Sequence, residues 1–513
     1  MTDSYSSPKL RWVLVLILLS GAGLRLAYVT RPLDHRLVSP WRQSDYVQIA
    51  RNFWREDPNL FYPRIDWRGE TPGYVESELP LIPWIGARLF DWFGFHVPLL
   101  RGLSSLLGIA SLLLFSRLAR RLLPPSGVLL ATAAFALNPL LYHLATAMQP
   151  EPLMVFGSVL AVLLLLRWEE RPGFGRLLGA AAAAALAILA KAPAAGLGLV
   201  FAFVIWRRLG WTMLRSARVL AAGALAIGPP VAWYLWARHF YIVYGNSLGV
   251  SNGNHVPTAA MLFPPTFLIG ILKWETFGVF SLTGWLLAVA ALWAPRDQRD
   301  LPLVWCLSGW ILYIAAAQTT AADWAFYYHS LTAAPGCLLM GAGLAALLDG
   351  RVMASRLERW RRLRTFTALL LATGTLVSLA AFIVVFTRHR DGRQDLLGLR
   401  TCALALAPRV PEDALIVTQG DTRYDARGRT GAFNIPMVFA WMDRKGFNYG
   451  SDELSIATLD GLAARGGRFW FAYGSDFQSP GFRAEVEHRY DLVARCQGDY
   501  SLYDLQRPPA ATP

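Results

Sequence analysis

The chain has 513 residues, 54% of them hydrophobic, a mean hydropathy of +0.35 and a formal net charge of +14. It is too apolar for an ordinary soluble protein, and several runs approach the roughly 20 residues that cross a bilayer as a helix. The positive charge calls for no nucleic acid: it gathers largely in short connections between apolar runs, and no nucleic-acid-binding motif is present.

In chain order the candidate spans are 11–29, 97–119, 127–144, 151–167, 176–190, 192–206, 217–236, 275–294, 302–318, 325–348 and 366–386. Lys191 and Pro193 divide 176–206, which reads as two spans meeting at a tight turn. With eleven spans, six basic stretches share one side: Lys9/Arg11, Arg117/Arg120/Arg121, Arg167/Arg171/Arg176, Arg207/Arg208/Arg215/Arg218, Arg296/Arg299 and Arg351 through Arg364. The excess of Lys and Arg in short cytoplasmic loops makes that side the cytoplasm. Merging the pair around Lys191 breaks the agreement for every later loop. The same register puts the N-terminus inside and places 30–96, 237–274 and 388–513 outside. The first run carries Arg25 and lacks a clean small-x-small site, so it reads as an uncleaved anchor rather than a signal peptide.

The expected architecture is an α-helical polytopic membrane domain, 1–387, including both outer loops, followed by a small α/β domain, 388–513. In the first loop, Asp45–Glu56 reads as an amphipathic helix with Tyr46, Ile49, Ala50 and Phe53 on one face. Leu79–Phe93, with Trp84, Phe90, Trp92 and Phe93, reads as a second, and together they suggest a shelf at the membrane surface. The second loop, with Tyr241, Tyr244, Asn246, Asn254 and His255, is placed to lid it. The Ala180–Ala185 run reads as a close-packing face. The tail mixes helix-like stretches, 395–407 and 455–465, with strand-like runs Ala414–Thr418, Arg468–Tyr473 and Tyr500–Leu505. Cys306 and Cys337 read as core residues, whereas Cys402 and Cys496, both outside, are able to form a disulfide.

Asp45, in Trp41-Arg42-Gln43-Ser44-Asp45, is a candidate base just above the membrane, with Arg42, Arg51 and Arg55 near it in sequence. Sugar transfer from a lipid phosphate needs such a base for the acceptor and cations for the leaving group. The plainer alternative is a helix cap. Glu78 and Glu76 are candidates to orient an acceptor, share the base role or help bind a divalent cation; the alternative is an acidic helix start before Pro80. Lys191 sits at an outer turn, where a phosphate needs a cation, and Glu151 is its candidate partner. Asp323, Tyr327, Tyr328 and His329 open the tenth span; the tyrosines fit an interfacial belt, and His329 is a candidate for phosphate or a metal. No HExxH, Walker-A or cysteine-rich zinc spacing is present, which argues against zinc-protease and ATPase chemistry.

These residues carry a family likeness. The chain resembles the bacterial members of glycosyltransferase family 39, a GT-C fold group that includes protein O-mannosyltransferases and aminoarabinose transferases. The matching stretches are Arg25, Trp41–Asp45, Ala50–Phe53, Ile65-Asp66-Trp67-Arg68-Gly69, Gly73–Leu81, Met148–Glu151, Lys191-Ala192-Pro193 and Tyr327-Tyr328-His329. The resemblance implies an inverting transferase using a polyprenyl-phosphate sugar on the periplasmic face of the bacterial inner membrane. The acceptor it implies is a hydroxyl on a lipid, glycan or protein. It also implies that Asp45 is the base and that Lys191 and His329 approach the lipid phosphate. The chain departs from many members in having Ser44-Asp45-Tyr46 for an Asp-Glu pair and Glu78-Leu79-Pro80 for Lys-Pro-Pro, so it looks like a distinct branch. The competing reading is a secondary transporter or lipid-linked sugar flippase. It fits less well, because the acidic residues crowd an outer loop and no repeat is visible.

Overall fold

In hydrocarbon a backbone must satisfy its own polar groups, and a helix does so within one segment. The computed structural model describes residues 8–31, 39–250, 264–315, 323–352, 358–391, 394–424, 433–474, 479–497 and 500–507, with a few single positions between them. All eleven apolar stretches are helical over most of their length. Among the described residues six helices are long and apolar enough to cross a membrane singly, and two bent pairs raise that number to eight by length and composition. The chain is a multi-pass membrane protein. Phe174–Ala190 is a shorter apolar helix of 17 residues, followed across the break at Lys191 by Leu197–Leu209. The eighth stretch differs most from expectation. Its helix starts at Pro265, passes through a π-turn at Glu275–Phe280 and bends by 83° before Leu282–Trp293. The second outer loop is correspondingly shorter, because Ala217–Tyr244 is one continuous helix.

Two compact units divide the chain. The first comprises Met1–Thr30, Arg101–Trp233 and Asn254–Thr387; the second comprises Arg31–Leu100, Tyr234–Gly253 and Arg388–Pro513. The outer loops therefore group with the tail rather than with the spans, a different partition from a single cut at 387. In the first unit the Ala-rich helix packs closely on Glu151–Glu170: a Cβ added at Gly157 would lie 3.0 Å from Ala187 N and 3.1 Å from Ala183 O. Buried Arg25 donates to the carbonyls of Gly21 (2.9 Å), Phe135 (3.3 Å) and Ala136 (3.2 Å), beside the bend between Pro125–Leu137 and Pro139–Ala145.

The second unit is built on a five-stranded sheet: β1 (Leu415–Gln419), β2 (Gly446–Tyr449), β3 (Gly467–Ala472), β4 (Asp491–Cys496) and β5 (Tyr500–Asp504), in the order β2-β1-β3-β5-β4. β1 is parallel to β2 and β3, while β5 is antiparallel to β3 and β4. Side chains alternate across a strand. Ile416, Phe469, Phe471 and Leu502 pack with Ile49, Phe53, Ile65 and Trp67 of the first loop, whereas Val417, Trp470 and Tyr503 pack with Leu459 and Val486 on the other face. The loop helix, Pro40–Arg55, starts earlier than expected and is buried on nearly every side. Its apolar face completes the domain core, so it is an interior element and not a surface shelf. Leu81–Phe93 does leave Trp92 and Phe93 exposed. Cys402 and Cys496 are disulfide-bonded, with Cα atoms 5.6 Å apart.

Candidate active site

Pro40 at the first turn presets the loop helix, and Ser39 precedes it in the left-handed region (φ 46°) without a side-chain capping bond. Asp45 thus lies a turn inside the helix and is not its cap. The helix buries a polar side as well as an apolar one, which demands partners. Ser44 donates to the Pro40 carbonyl (2.8 Å), and Gln48 donates to the Pro436 carbonyl (2.7 Å) while accepting from Asp66 N–H (3.0 Å). Asn52 donates to Asp66 Oδ1 (2.9 Å) and to the Arg64 carbonyl (3.0 Å).

Asp45 is 4% exposed, and its Oδ1 accepts from Trp67 Nε1 at 2.9 Å. Burial pushes this carboxyl from 3.8 up to about 7; the Trp67 hydrogen bond and the Arg42 charge pull it down, and Asp66 adds to the rise. Arg42 also pairs with Glu78 at 3.5 Å, so a cation stands between two buried carboxylates. The other first-loop candidates are committed to the fold. Arg51 pairs with Asp66 (2.5 Å) and Asp443 (2.6 Å), and Arg55 pairs with Asp443 (3.0 Å). Glu76 makes backbone bonds with Asn246 (3.0 Å) and Leu248 (2.9 Å), and its carboxylate accepts from Ser247. These contacts give Arg51, Arg55 and Glu76 partners within the fold. Glu56 is a further charge centre, held down to about 2: burial opposes ionisation, but Arg68, Lys445 and Arg64 outweigh it.

The remaining candidates form a cluster within the first unit. Lys191 Nζ is 2.8 Å from Glu151 Oε1 and lies over the rings of Tyr327 (4.8 Å) and Tyr328 (5.1 Å). An ammonium over two aromatic faces and beside one carboxylate is in surroundings that attract a cation. His329 is fully buried with both nitrogens engaged: Nε2 donates to the Thr320 carbonyl (2.8 Å), and Nδ1 pairs with Glu275 Oε1 (2.7 Å). This network ties the segment carrying the two tyrosines to Glu275 and to the Thr320 carbonyl. Glu275 Oε1 also accepts from Thr332 (2.8 Å), and Oε2 accepts from Trp310 Nε1 (3.0 Å).

Sequence reasoning passed over Glu275, although a lone acid at the edge of an apolar run is a functional signal by itself. It also missed Gln149, which is fully buried with neither amide atom hydrogen-bonded. The Asp323 side chain, Asn254 and His255 lie outside the described residues. Among the described residues no three His, Cys, Asp or Glu side chains come together to hold a metal. The Glu78 carboxylate pairs with Arg42, and the Glu76 carboxylate accepts from Ser247.

Residues 77–236 match the model of the dolichyl-phosphate-mannose-protein mannosyltransferase family. None of the curated proteins matches. Among solved structures, ArnT from Cupriavidus metallidurans in the apo state is 16% identical with a TM-score of 0.62, over 97% of this chain and 98% of that one. The same protein bound to undecaprenyl phosphate gives 15% and 0.59, over 96% and 98%. The archaeal oligosaccharyltransferase AglB from Archaeoglobus fulgidus, in complex with an inhibitory peptide and a dolichol-phosphate, gives 11% and 0.55, over 98% and 75%. The chain thus has the GT-C membrane fold, and its sequence match to the mannosyltransferase family model covers residues 77–236.

Proposed function

We propose that the protein is a membrane glycosyltransferase that moves a sugar from a polyprenyl-phosphate donor to an acceptor hydroxyl on the periplasmic side of the inner membrane. The observation that carries this reading is Asp45, a buried carboxyl with a pKa of about 7 beside a buried arginine. A base poised near the working pH is both ionised and able to take a proton. Asp45 removes the acceptor proton as the acceptor oxygen bonds to the anomeric carbon. The bond from that carbon to the phosphate oxygen breaks, and its electron pair leaves with the polyprenyl phosphate. A single displacement of this kind inverts the anomeric centre. Arg42 favours the ionised form of Asp45, the form that acts as base, and pairs with the Glu78 carboxylate. Lys191, partly dehydrated by the two tyrosines, is the cation for the lipid phosphate, and Glu151 holds it in place. The roles of Asp45 and Arg42 rest on contacts in the second unit, and that of Lys191 rests separately on contacts in the first. The distribution of Lys and Arg supports a cytoplasmic N-terminus and an outer tail, and the lipid-phosphate complexes of ArnT and AglB support the donor class.

The test is lipid mass spectrometry on cells carrying only Asp45→Asn, at protein levels matched to the native strain. Accumulation of a polyprenyl-phosphate sugar in the variant is expected, and its mass gives the sugar class. An unchanged lipid pool with unchanged glycans would remove the base assignment.

A further inference from the structure

The carboxyl edge of the small sheet carries polar side chains that the transfer chemistry leaves unused. The β1–β2 connection contains the helix Met437–Met442, whose Val438 and Phe439 pack on the sheet face that bears Ile416. The β2–β3 connection contains Ile456–Ala464, whose Leu459 packs on the opposite face with Val417. In the order β2-β1-β3 the chain leaves β1 to one side and returns on the other. The carboxyl end of β1 is therefore a topological switch point, the place where open α/β sheets leave a crevice for ligands.

Gln419 ends β1, and its amide lies against the turn after β3. A Cβ placed on Gly474 (φ +97°) would come 3.3 Å from Gln419 Nε2 and 3.6 Å from Oε1. Gln419 is only 7% exposed, yet its Oε1 has no hydrogen-bond partner. Leaving a buried acceptor unmet costs about 1–3 kcal/mol, so a crevice holding one is incomplete until a donor arrives. The nearby Tyr473 hydroxyl is already spent on the Gln419 backbone carbonyl (2.5 Å). Asp421 stands two residues on and is exposed; among the described residues no side chain pairs with its carboxylate. The adjacent cation is committed, since Arg423 pairs with Glu453 at 2.5 Å and lies 4.7 Å from the Phe433 ring centroid. Among the described residues acceptors are left over and cations are not. That balance disfavours a phosphate and suits a ligand presenting several O–H or N–H donors.

We propose that the carboxyl edge of β1 and β3, around Gln419 and Asp421, is a binding site for a saccharide offering hydroxyl or amino donors. The site is separate from Asp45 and stands whether or not the base assignment holds.

Saturation-transfer NMR on the full chain in nanodiscs tests it, with glucosamine, glucose and glucose 6-phosphate as probes at millimolar concentration. The native protein is expected to give transfer to glucosamine and glucose, with little to glucose 6-phosphate. Gln419→Ala should cut both signals at least fivefold, and Asp421→Asn should weaken glucosamine more than glucose. Gln419→Glu keeps the acceptor and the size, so it should retain glucosamine binding; this checks that loss in the alanine variant is not misfolding. Asp45→Asn should leave the signals unchanged. No transfer to the native protein overturns the proposal, as do signals indifferent to Gln419→Ala, loss of glucosamine in Gln419→Glu, stronger transfer to glucose 6-phosphate, or loss of signal in Asp45→Asn.

Discussion

Replacing Asp45 by asparagine separates the cost of this carboxyl from its use. The side chain is 4% exposed and titrates near 7 instead of 3.8, so the folded protein holds the proton over a pH range in which the unfolded chain has lost it. Stability from this group is fully present below pH 3.8 and is lost as pH rises through about 7. At about 1.4 kcal/mol per pH unit, the buried anion costs about 4 kcal/mol once the pH is above that range. Asparagine removes the charge and keeps an oxygen for the Trp67 N–H. Thermal unfolding in nanodiscs should therefore show the variant more stable than the native protein at pH 8, with the difference shrinking towards zero at pH 4. Turnover should fall about 10²–10⁴-fold, the usual contribution of a positioned base. Native kcat/KM should rise with pH to a midpoint near 7, because the ionised form is the base. A variant that is less stable at pH 8 and retains turnover would refute the reasoning and make Asp45 a structural partner of Trp67.

Lys191→Met keeps length and apolar bulk but removes the cation between Tyr327 and Tyr328; KM for the lipid donor should rise at least tenfold, and a donor titration reads it. The same change leaves Glu151 buried without its ion pair, so unfolding should be recorded alongside. Glu56→Gln should destabilise the second unit by about 2 kcal/mol at pH 7, allowing for its partial exposure. Because the Glu56 pKa is depressed, its contribution is present above pH 4.5 and lost as pH falls through about 2, so native and variant unfolding curves should converge in acid. Reducing the Cys402–Cys496 bond, which closes a separation of 94 residues, should cost about 2–5 kcal/mol, read as a lowered unfolding temperature in reductant.

The features legible in the sequence were those that depend on local composition. Apolar runs of membrane length became helices because hydrocarbon leaves the backbone few other options, and Lys191 marked a real break because a charged residue beside Pro193 does not continue a buried helix. Three tail strands were visible from short β-branched and aromatic runs, but β2 and β4 were missed: Gly446-Phe447-Asn448-Tyr449 carries no β-branched residue and Asp491–Cys496 only Val493, and each is a strand because a neighbour pairs with it. Side-chain partners were illegible for a different reason. The sequence showed Arg42, Arg51 and Arg55 as equivalent cations near Asp45, yet their roles follow from carboxylates that the fold brings in. Asp66 comes from the same loop, but Asp443 comes from the tail, and together they take Arg51; Glu78 meets Arg42. His329 likewise looked available until Glu275, 54 residues away, and the Thr320 carbonyl took its two nitrogens. A polar residue type at a plausible depth states only that some partner must exist. Whether that partner is a substrate or another side chain depends on long-range pairing. On this ground Asp45, with one hydrogen bond from Trp67 and a carboxyl pushed up to about 7, is a better candidate for chemistry than the more fully partnered His329.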